Sequence, residues 1–563
     1  MSGRRIVGAR PGAVGALLVL LPLVPLLVGA AAAAQTLRLS QGLAFSDVGR
    51  AGVAPTPGSV DLPVVSPNGQ WVVYNHDAEI DEAYELWRVP VAGGTPQRIS
   101  GLLPAGQRAF GFKFTPDGQR VVYRAAQDDL EATELYAAPI AAPPGSWVKL
   151  NEALAPGFAI VDFGLAADSS RVVYVVLPTE GPDLDYRELW VADTDGGDRV
   201  QLLDLPAGRE LLPPFPSPDF SRIVYIADSV VDDRFEAWSV PSVGGSPVKL
   251  NGALVSGGDV ATVHISPDSA TVVYVADQQT DGMNEVYVVA VDGGPATRVN
   301  PPLAAGRTAI LALFLPGGRI LYAVLTTATG QIAFWSVAAD GSGAVQLTPA
   351  MVAGGTVTRY ALSPSGHRLL YVADQQQDEV FELFSVPTTG GAAVKLSGTL
   401  TSGGDVVTQP PPLVTPDGGR ALFLADKLAD GRIELWSAPV DGSAPAVRLN
   451  PSGTQIGAWE VLGFQPTADG SRVVYTYRSR ACPVCPWTVR LHEVPAGGGV
   501  RRVIDGCQST SANVFDFPVP STTEPWRTFY LADQDADEQF DLYVTESCLF
   551  CDGFESGDTS AWQ

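Results

Sequence analysis

The sequence predicts an all-β fold, a β-propeller of about ten four-stranded blades. One phrase carries this prediction: it is clearest at residues 217–228 (SPDFSRIVYIAD), continues at 236–240 (EAWSV), and returns about every 50 residues. Within each copy, short β-branched and aromatic runs are bounded by Pro, Gly and Asp, which is typical of strands joined by tight turns. Four antiparallel strands per copy make one propeller blade.

An aromatic residue anchors the second strand of every copy. Successive anchors are 48 to 55 residues apart, and the ten copies fill the chain after its first 34 residues, leaving no room for a separate catalytic domain. The anchors are Tyr74, Tyr123, Tyr174, Tyr225, Tyr274, Tyr322, Tyr371, Phe423, Tyr475 and Tyr530.

Turn residues separate the strands of each copy. Pro presets φ for a tight turn and Asp-Gly or Gly-Gly tolerates positive φ, as at residues 116–118 (PDG) and 292–294 (DGG). The first strand is expected before the Ser-Pro-Asp turn, the second around the anchor, the third at Glu-Leu-Trp and a short fourth one at positions such as 248–251 (VKLN). No amphipathic helix is predicted.

The two ends of the repeat region complement each other. Residues 37–40 (LRLS) match the fourth strand of a copy, whereas the last copy stops after its third strand at 541–544 (DLYV). We therefore expect the N-terminal strand to complete the last blade and to close the ring, which removes an exposed sheet edge. This favours a single ring; because ten exceeds the usual four to eight blades, two smaller propellers in tandem are the alternative.

The chain divides into three segments. In residues 1–34, Arg4, Arg5 and Arg10 precede an apolar run at 13–28 and small residues before Gln35, a pattern typical of a secretory signal peptide. An uncleaved membrane anchor is the alternative, which Pro22, Pro25 and the short length of the run disfavour. Residues 35–546 are the predicted propeller, and 547–563 form a tail outside the repeat. The protein is thus expected to be exported to the periplasm or the cell exterior, with no transmembrane segment after cleavage.

The mature chain is strongly acidic. Loss of the three signal arginines reduces the 36 basic residues to 33 against 61 acidic ones, so the formal charge changes from −25 to −28. Such a surface repels phosphate backbones, which excludes nucleic acid and anionic membranes as favoured partners. Cations, basic proteins or simple solubility in a crowded compartment fit the charge better, and the charge does not choose among these three.

The Ser-Pro-Asp-x-x-x-x-Val-Tyr-x-x-Asp phrase, with its later Glu-Leu-Trp and Gly-Gly, resembles the TolB-type (WD40-like) propeller repeat over residues 36–545. The resemblance implies a propeller architecture and an envelope compartment. Three departures matter: there is no separate N-terminal α/β domain, there are ten repeats rather than six, and the Gly-x-Ser-x-Gly elbow of the hydrolase that follows the propeller in related peptidases is absent.

An acidic hairpin follows the second strand in most copies. Calcium, which binds carboxylate and carbonyl oxygens, is one interpretation; the other is that the aspartates cap turns by accepting backbone N–H bonds. The first rank, three residues beyond the anchor, is Asp77, Asp228, Asp277, Asp374, Asp426 and Asp533. A second rank four residues further on is Asp81, Asp232, Asp281, Asp378, Asp430 and Asp537.

Crossover loops between blades lie on the same face as these hairpins, because the strands are antiparallel. They include the near-duplicates 256–260 (SGGDV) and 402–406 (SGGDV) and the related 207–209 and 305–307 (both AGR). A binding site is expected here, near the central channel, with Asp259, Asp405, Arg209 and Arg307 as candidates. The alternative is that the glycines only let the chain turn.

All the cysteines lie near the C-terminal end. Two Cys-x-x-Cys pairs are compatible with zinc or a redox centre, whereas export favours disulfides. Their odd number leaves one thiol over, and the connectivity stays open. They are Cys482, Cys485, Cys507, Cys548 and Cys551.

Function follows from what the repeat contains. No catalytic motif is found, and no cofactor is predicted apart from the calcium alternative. Trp87, Trp190, Trp238, Trp335 and Trp436 recur at one blade position, which predicts inter-blade packing. The sequence therefore favours an exported scaffold that binds a protein or ligand; a propeller enzyme acting on polysaccharide or peptide at the channel mouth is the alternative, because such a site leaves no local motif.

Overall fold

The computed structural model describes residues 36–38, 63–76, 83–128, 132–179, 188–451, 459–479, 488–504, 514–520, 527–536 and 539–546. All of these residues belong to one compact unit, which spans residues 34–549. Every regular element among the described residues is a β-strand, and none of those residues forms a helix long and apolar enough to cross a membrane.

Forty strands form ten four-stranded antiparallel sheets, which are the blades of one closed β-propeller. Nine sheets each contain four strands that are consecutive in the chain, and we number them as blades 1 to 9. The first three blades are β2 (Val64–Val65), β3 (Trp71–His76), β4 (Glu85–Pro90) and β5 (Gln97–Arg98); β6 (Phe110–Phe114), β7 (Arg120–Ala125), β8 (Glu134–Pro139) and β9 (Val148–Lys149); and β10 (Phe158–Leu165), β11 (Arg171–Pro178), β12 (Glu188–Asp193) and β13 (Arg199–Asp204).

Blades 4 to 6 follow the same order. They are β14 (Phe215–Pro216), β15 (Arg222–Ala227), β16 (Glu236–Pro241) and β17 (Val248–Lys249); β18 (Val260–Ile265), β19 (Thr271–Ala276), β20 (Glu285–Ala290) and β21 (Thr297–Arg298); and β22 (Arg307–Phe314), β23 (Arg319–Thr326), β24 (Gln331–Ala338) and β25 (Val345–Gln346).

Blades 7 to 9 complete the consecutive sheets. They are β26 (Val357–Leu362), β27 (Arg368–Ala373), β28 (Glu382–Pro387) and β29 (Val394–Lys395); β30 (Leu413–Val414), β31 (Arg420–Ala425), β32 (Glu434–Pro439) and β33 (Val447–Arg448); and β34 (Trp459–Pro466), β35 (Arg472–Ser479), β36 (Thr488–Pro495) and β37 (Arg502–Val503).

Blade 10 joins the two ends of the repeat region. It consists of β38 (Val514–Pro520), β39 (Arg527–Ala536), β40 (Gln539–Glu546) and, as its fourth strand, β1 (Thr36–Arg38). Leu37 lies opposite Val544 in the antiparallel register. The predicted closure is confirmed, with the strand beginning one residue earlier than expected, and the single ring is confirmed over two propellers in tandem.

The blades meet through apolar cores. One core joins Val224 and Ile226 of blade 4 to Val263 and Tyr274 of blade 5, and its counterparts recur between other neighbouring blades. The anchor Tyr274 is fully buried and stacks on Tyr287 across the strand pair, with ring centroids 5.3 Å apart. The tryptophans at this third-strand position also face the inter-blade cores: Trp238 packs against the core of blades 3 and 4, as predicted.

The alternating chain direction gives the ring two faces. We call the side with the second-to-third-strand hairpins and the crossovers the crossover face, and the other side, with the remaining hairpins, the turn face. First strands of neighbouring blades contact each other, as β18 and β22 do, which places them around the axis. A β-bulge interrupts the first strand at the same place in several blades, at Ala261, Ile310 and Thr358 for example; such bulges redirect a side chain.

The Ser-Pro-Asp turns fasten neighbouring blades on the turn face. Asp219 accepts hydrogen bonds from the hydroxyls of Ser217 and Ser221, while its own N–H donates to Ser269 Oγ of the next blade over 3.0 Å. Asp117 and Ser169 repeat this contact between blades 2 and 3. The turn phrase therefore serves the interface between blades as well as the hairpin.

Candidate functional site: the crossover face

Each first-rank aspartate that the structure describes with its side chain joins its hairpin to a crossover. Oδ1 of Asp277 accepts a hydrogen bond from the N–H of Asp259, in the crossover that enters the same blade, over 2.5 Å. Oδ2 accepts the N–H of Gly282, within the hairpin, over 2.9 Å. Asp277 is 6% exposed. Its carboxylate thus satisfies two backbone donors in a site where solvent has little access.

Three other blades repeat the arrangement. Asp228 accepts N–H bonds from Glu210 and Asp233, Asp374 from Thr356 and Glu379, and Asp426 from Asp405 and Gly431. These hydrogen bonds are those of the turn-capping interpretation. Asp533 lies in β39, and Asp77 lies outside the described residues.

The crossover aspartates reach back to the preceding blade. Oδ1 of Asp259 accepts the N–H of Phe235, at the start of the third strand of blade 4, over 2.8 Å. Asp405 makes the same bond to Phe381 over 2.7 Å. Each therefore links two blades, because its carboxylate holds one hairpin and its own N–H is held by the first-rank aspartate of the next.

The Gly-Gly pair before these aspartates fits against the acidic hairpin. A Cβ on Gly258 would lie 2.7 Å from the carbonyl oxygen of Asp277, and one on Gly404 would lie 2.6 Å from that of Asp426. The preceding Gly257 has a φ of +81° and lies against the carboxylate of Asp281. The glycines are thus required for close approach as well as for the turn.

The two candidate arginines have different surroundings. Arg209 donates to the carbonyl of Asp228 over 3.2 Å and pairs with Asp232 at 3.5 Å, so it binds the hairpin of its own blade. Arg307 is the first residue of β22 and is exposed. The structure therefore brings Arg209, Asp259 and Asp405 into one kind of contact, crossover to hairpin, and leaves Arg307 open to solvent.

The second-rank aspartates that the structure describes are exposed; Asp232 pairs with Arg209, and Asp81 and Asp537 lie outside the described residues. Asp281, Asp378 and Asp430 are exposed beside the crossover glycines, and in the described part of the chain no cationic side chain pairs with them. Burial raises the pKa of the nearby Asp405 carboxyl, and the negative charges of Asp426 and Asp430 raise it further. The crossover face thus has a buried row of acids that belongs to the fold and an exposed row that does not.

Blades 3, 6 and 9 extend further on this face. Their second strands β11, β23 and β35 have eight residues, whereas those of blades 4, 5, 7 and 8 have six. In the long blades the residue three beyond the anchor is Leu177, Leu325 or Arg478 instead of aspartate. The missing carboxylate alone does not lengthen the strand, because blade 2 has Ala126 at this position and its second strand β7 has six residues.

A buried ion pair recurs inside the sheets. The glutamate that begins the third strand pairs with a Lys or Arg of the fourth strand in six blades, at distances from 2.7 to 3.2 Å. In each pair the glutamate side chain is at most 8% exposed. The pairs are Glu85–Arg98, Glu134–Lys149, Glu236–Lys249, Glu285–Arg298, Glu382–Lys395 and Glu434–Arg448.

Blade 3 has a pocket on the crossover face. The space in it that water-sized groups can occupy is about 50 Å³, and it lies between the crossover that enters the blade and the ends of β10, β11 and β12. Leu154, Phe158 and Trp190 give it apolar and aromatic walls, and Glu152 and Glu188 supply carboxylates. This combination of an apolar wall and a few polar groups is typical of ligand pockets.

The metal and thiol interpretations concern different parts of the chain. No group of three or more His, Cys, Asp or Glu side chains there is arranged to hold a metal ion. Cys482, Cys485, Cys507, Cys548 and Cys551 all lie outside the described residues, so zinc, redox and disulfide interpretations stay predictions.

Two features of the site were missed from the sequence, although the signal was present. The sheet ion pair is visible as a Glu and a Lys or Arg 13 to 15 residues apart in six copies. The copy that contains the blade 3 pocket can be recognised because Gln201 stands in it at the position of that cation. Both require the fourth strands to be aligned with one another.

Comparison with known families and with curated proteins finds no match, so the resemblance to the TolB-type repeat stays a prediction. Among solved structures, dipeptidyl peptidase 4 of Porphyromonas gingivalis is similar, at 12% identity over 75% of this chain and 64% of that one, with a TM-score of 0.46. Prolyl oligopeptidase B of Galerina marginata matches at 11% identity over 67% of this chain and 55% of that one, with a TM-score of 0.37.

An oligogalacturonate lyase of Vibrio parahaemolyticus matches at 14% identity over 58% of this chain and 88% of that one, with a TM-score of 0.33. The chain spans less than two thirds of the length of either peptidase. Identities and scores at this level assign neither an activity nor a ligand to this chain.

Proposed function

We propose that this protein is an exported binding scaffold that presents its crossover face to a positively charged partner. The observation that carries the proposal is that the aspartates of the crossover face form two groups, one buried and one exposed. The buried aspartates are occupied by backbone N–H groups, whereas Asp281, Asp378 and Asp430 are exposed on the same face. Negative potential from an exposed row attracts a basic surface and speeds its association.

Capture by immobilised mature protein tests the partner. We would compare the wild type with the triple variant Asp281→Asn, Asp378→Asn, Asp430→Asn in envelope extract. A matched control changes Asp292, Asp340 and Asp441 to Asn, which removes the same charge from the turn face, where the capping oxygens of Asp340 and Asp441 are retained. We expect the wild type and the control to capture the same basic protein and the crossover-face variant to lose it.

Equal capture by both triple variants would overturn the proposal. So would the absence of any partner together with turnover of an oligosaccharide or peptide panel, because that result would establish the enzyme alternative. Export is tested separately by N-terminal sequencing after expression with the full leader. A mature chain beginning at Gln35 outside the cytoplasm supports it, and an intact cytoplasmic chain contradicts it.

A further inference from the structure

Blade 3 keeps the acidic half of the sheet ion pair and lacks the basic half. Gln201 lies opposite Trp190 in the same register in which Lys249 lies opposite Trp238 in blade 4. Oε2 of Glu188 accepts hydrogen bonds from Trp190 Nε1 over 2.7 Å and from Gln201 Nε2 over 3.3 Å. Both donors are neutral, so the charge of Glu188 is not balanced by its own sheet.

Blade 6 lacks both partners of this pair. There Gln346 takes the place of the cation opposite Trp335, and Ala333 stands two residues before Trp335, where blades 1 to 5, 7 and 8 have glutamate. A half-buried carboxylate without a cation destabilises the fold, so a blade that lacks the cation is more stable if it lacks the glutamate as well. Retention of Glu188 in blade 3 therefore indicates a cation from elsewhere.

The pocket provides room for that cation next to Glu188. Glu188 and Trp190 form one wall, and the ring of Tyr174 lies parallel to that of Trp190 with centroids 6.3 Å apart. Carboxylate and indole both attract an organic cation, the first by charge and hydrogen bonding and the second through its π face.

Among the described residues, the basic side chain that pairs with the pocket-lining Glu152 is already committed. Arg199 pairs with Glu152 at 3.2 Å and donates to the carbonyls of Leu150 and Lys149 over 2.8 and 2.9 Å. Because Arg199 and Glu152 neutralise each other, Glu188 leaves the pocket with one unbalanced negative charge. In the described part of the chain, Oε1 of Glu188 has no hydrogen-bond partner.

We propose that the blade 3 pocket binds a single alkylammonium or alkylguanidinium group, with Glu188 as its counter-ion and Trp190 against its stem. These are the two groups that neutralise the equivalent glutamate in six other blades. The inference rests on the proposed binding role of the crossover face and names the chemistry that one subsite of that face recognises.

Calorimetric titration of the mature protein at low salt tests the subsite. The probes are Nα-acetyl-lysine N-methylamide, its arginine counterpart and, as the uncharged control, the norleucine derivative. We expect the two cations to bind and norleucine to bind at least tenfold more weakly. Glu188→Gln should weaken cation binding at least tenfold, while Trp190 Nε1 still finds an acceptor and the thermal midpoint is retained.

A second variant places the missing cation in the fourth strand of blade 3 itself. Gln201→Lys should form the ion pair of blade 4, which closes the subsite, abolishes probe binding and keeps or raises the thermal midpoint. Gln346→Lys makes the same change in blade 6, where no glutamate faces it, and should leave binding unchanged. Butylamine as a fourth probe separates the sources: equal affinity assigns a free amine, and tenfold tighter binding of the lysine derivative assigns a protein side chain.

Absence of binding by the wild type would overturn the inference, as would unchanged binding in Glu188→Gln. Neither result touches the wider proposal, because partner capture is measured with the Asp281, Asp378 and Asp430 variant, which leaves the pocket intact. Conversely, probe binding without partner capture supports the subsite and removes the basic-partner proposal.

Discussion

The carboxylate of Asp259 accepts a hydrogen bond from the backbone N–H of Phe235 over 2.8 Å, which joins a crossover to the blade that the chain has just left. The N–H of the same aspartate donates to Asp277 in the blade that follows. A series of such contacts ties neighbouring blades together through short polar bonds as well as through their apolar cores, and it makes several substitutions predictable.

Asp277→Ala removes the acceptor for two backbone N–H groups, those of Asp259 and Gly282. Leaving buried donors unsatisfied costs about 3 kcal/mol in total, so the urea midpoint should fall clearly. Asp292→Ala, an exposed acid on the turn face, serves as the control and should leave the midpoint unchanged. Similar urea midpoints for the two variants would contradict a stabilising role for the hydrogen bonds that Asp277 accepts.

Chelation should leave stability unaltered. The carboxylates of Asp228, Asp277, Asp374 and Asp426 accept backbone N–H bonds on both oxygens, so their turns need no metal ion to balance them. We expect the thermal midpoint to be the same in EDTA and in millimolar calcium. A rise with calcium that Asp277→Asn abolishes would instead establish the calcium interpretation.

Gly404→Ala should destabilise by about 2 kcal/mol, because the new Cβ would meet the Asp426 carbonyl oxygen at 2.6 Å and the crossover would have to move away from its hairpin. Gly497→Ala is the matched control, since nothing lies within 4 Å of a Cβ there. Denaturant unfolding of the two variants measures the difference; equal midpoints would show that the close approach is dispensable.

The sheet ion pair should behave as a coupled unit. Lys249→Met removes the cation 3.1 Å from the buried Glu236 carboxylate and leaves the more distant Arg234 at 4.0 Å. It should cost about 2 kcal/mol, less than for a fully buried pair, because Lys249 is 39% exposed and Arg234 remains. Adding Glu236→Gln should recover more than half of that loss. A double-mutant cycle in urea measures the coupling, and strict additivity would argue against it.

The Ser-Pro-Asp turns should make stability fall in strong acid. Hydrogen bonds from Ser217 and Ser221 lower the pKa of Asp219 to about 2, whereas the pKa of an aspartate in the unfolded chain is about 3.9. Its contribution is therefore fully present above about pH 4 and is lost as the pH falls through about 2. Asp219→Ala should show a shallower decline of the thermal midpoint between these values than the wild type.

The repeat allows the strands of each blade to be predicted, but it does not reveal the contacts between neighbouring blades. Each anchor tyrosine repeats with its turns, so strand order and the closing strand at Leu37 follow from one aligned phrase. The contact of Asp259 with Phe235 joins two copies of that phrase, and the pattern within one copy contains no information about its neighbour. The bulge at Ile310 likewise depends on pairing register, which hydrophobic alternation alone does not determine.

The sequence analysis expects a site on the crossover face from the glycines and aspartates of the crossovers, and this expectation stays a prediction. The structure shows that Asp259 and Asp405 take part in the fold there. Glu188 is inconspicuous because six other copies have a glutamate at the same position. Only the missing cation at Gln201 distinguishes it.

The antiparallel pairing of Thr36 with Thr545 also determines by which face the propeller can be tethered to a surface. The chain enters β1 and leaves β40 on the turn face, because β40 is a third strand and β1 runs antiparallel to it. A linker fused at either end would therefore tether the ring by the turn face. In a surface-immobilised assay both attachment points would orient Asp281 and the blade 3 pocket toward the solution, with no need to redesign the protein.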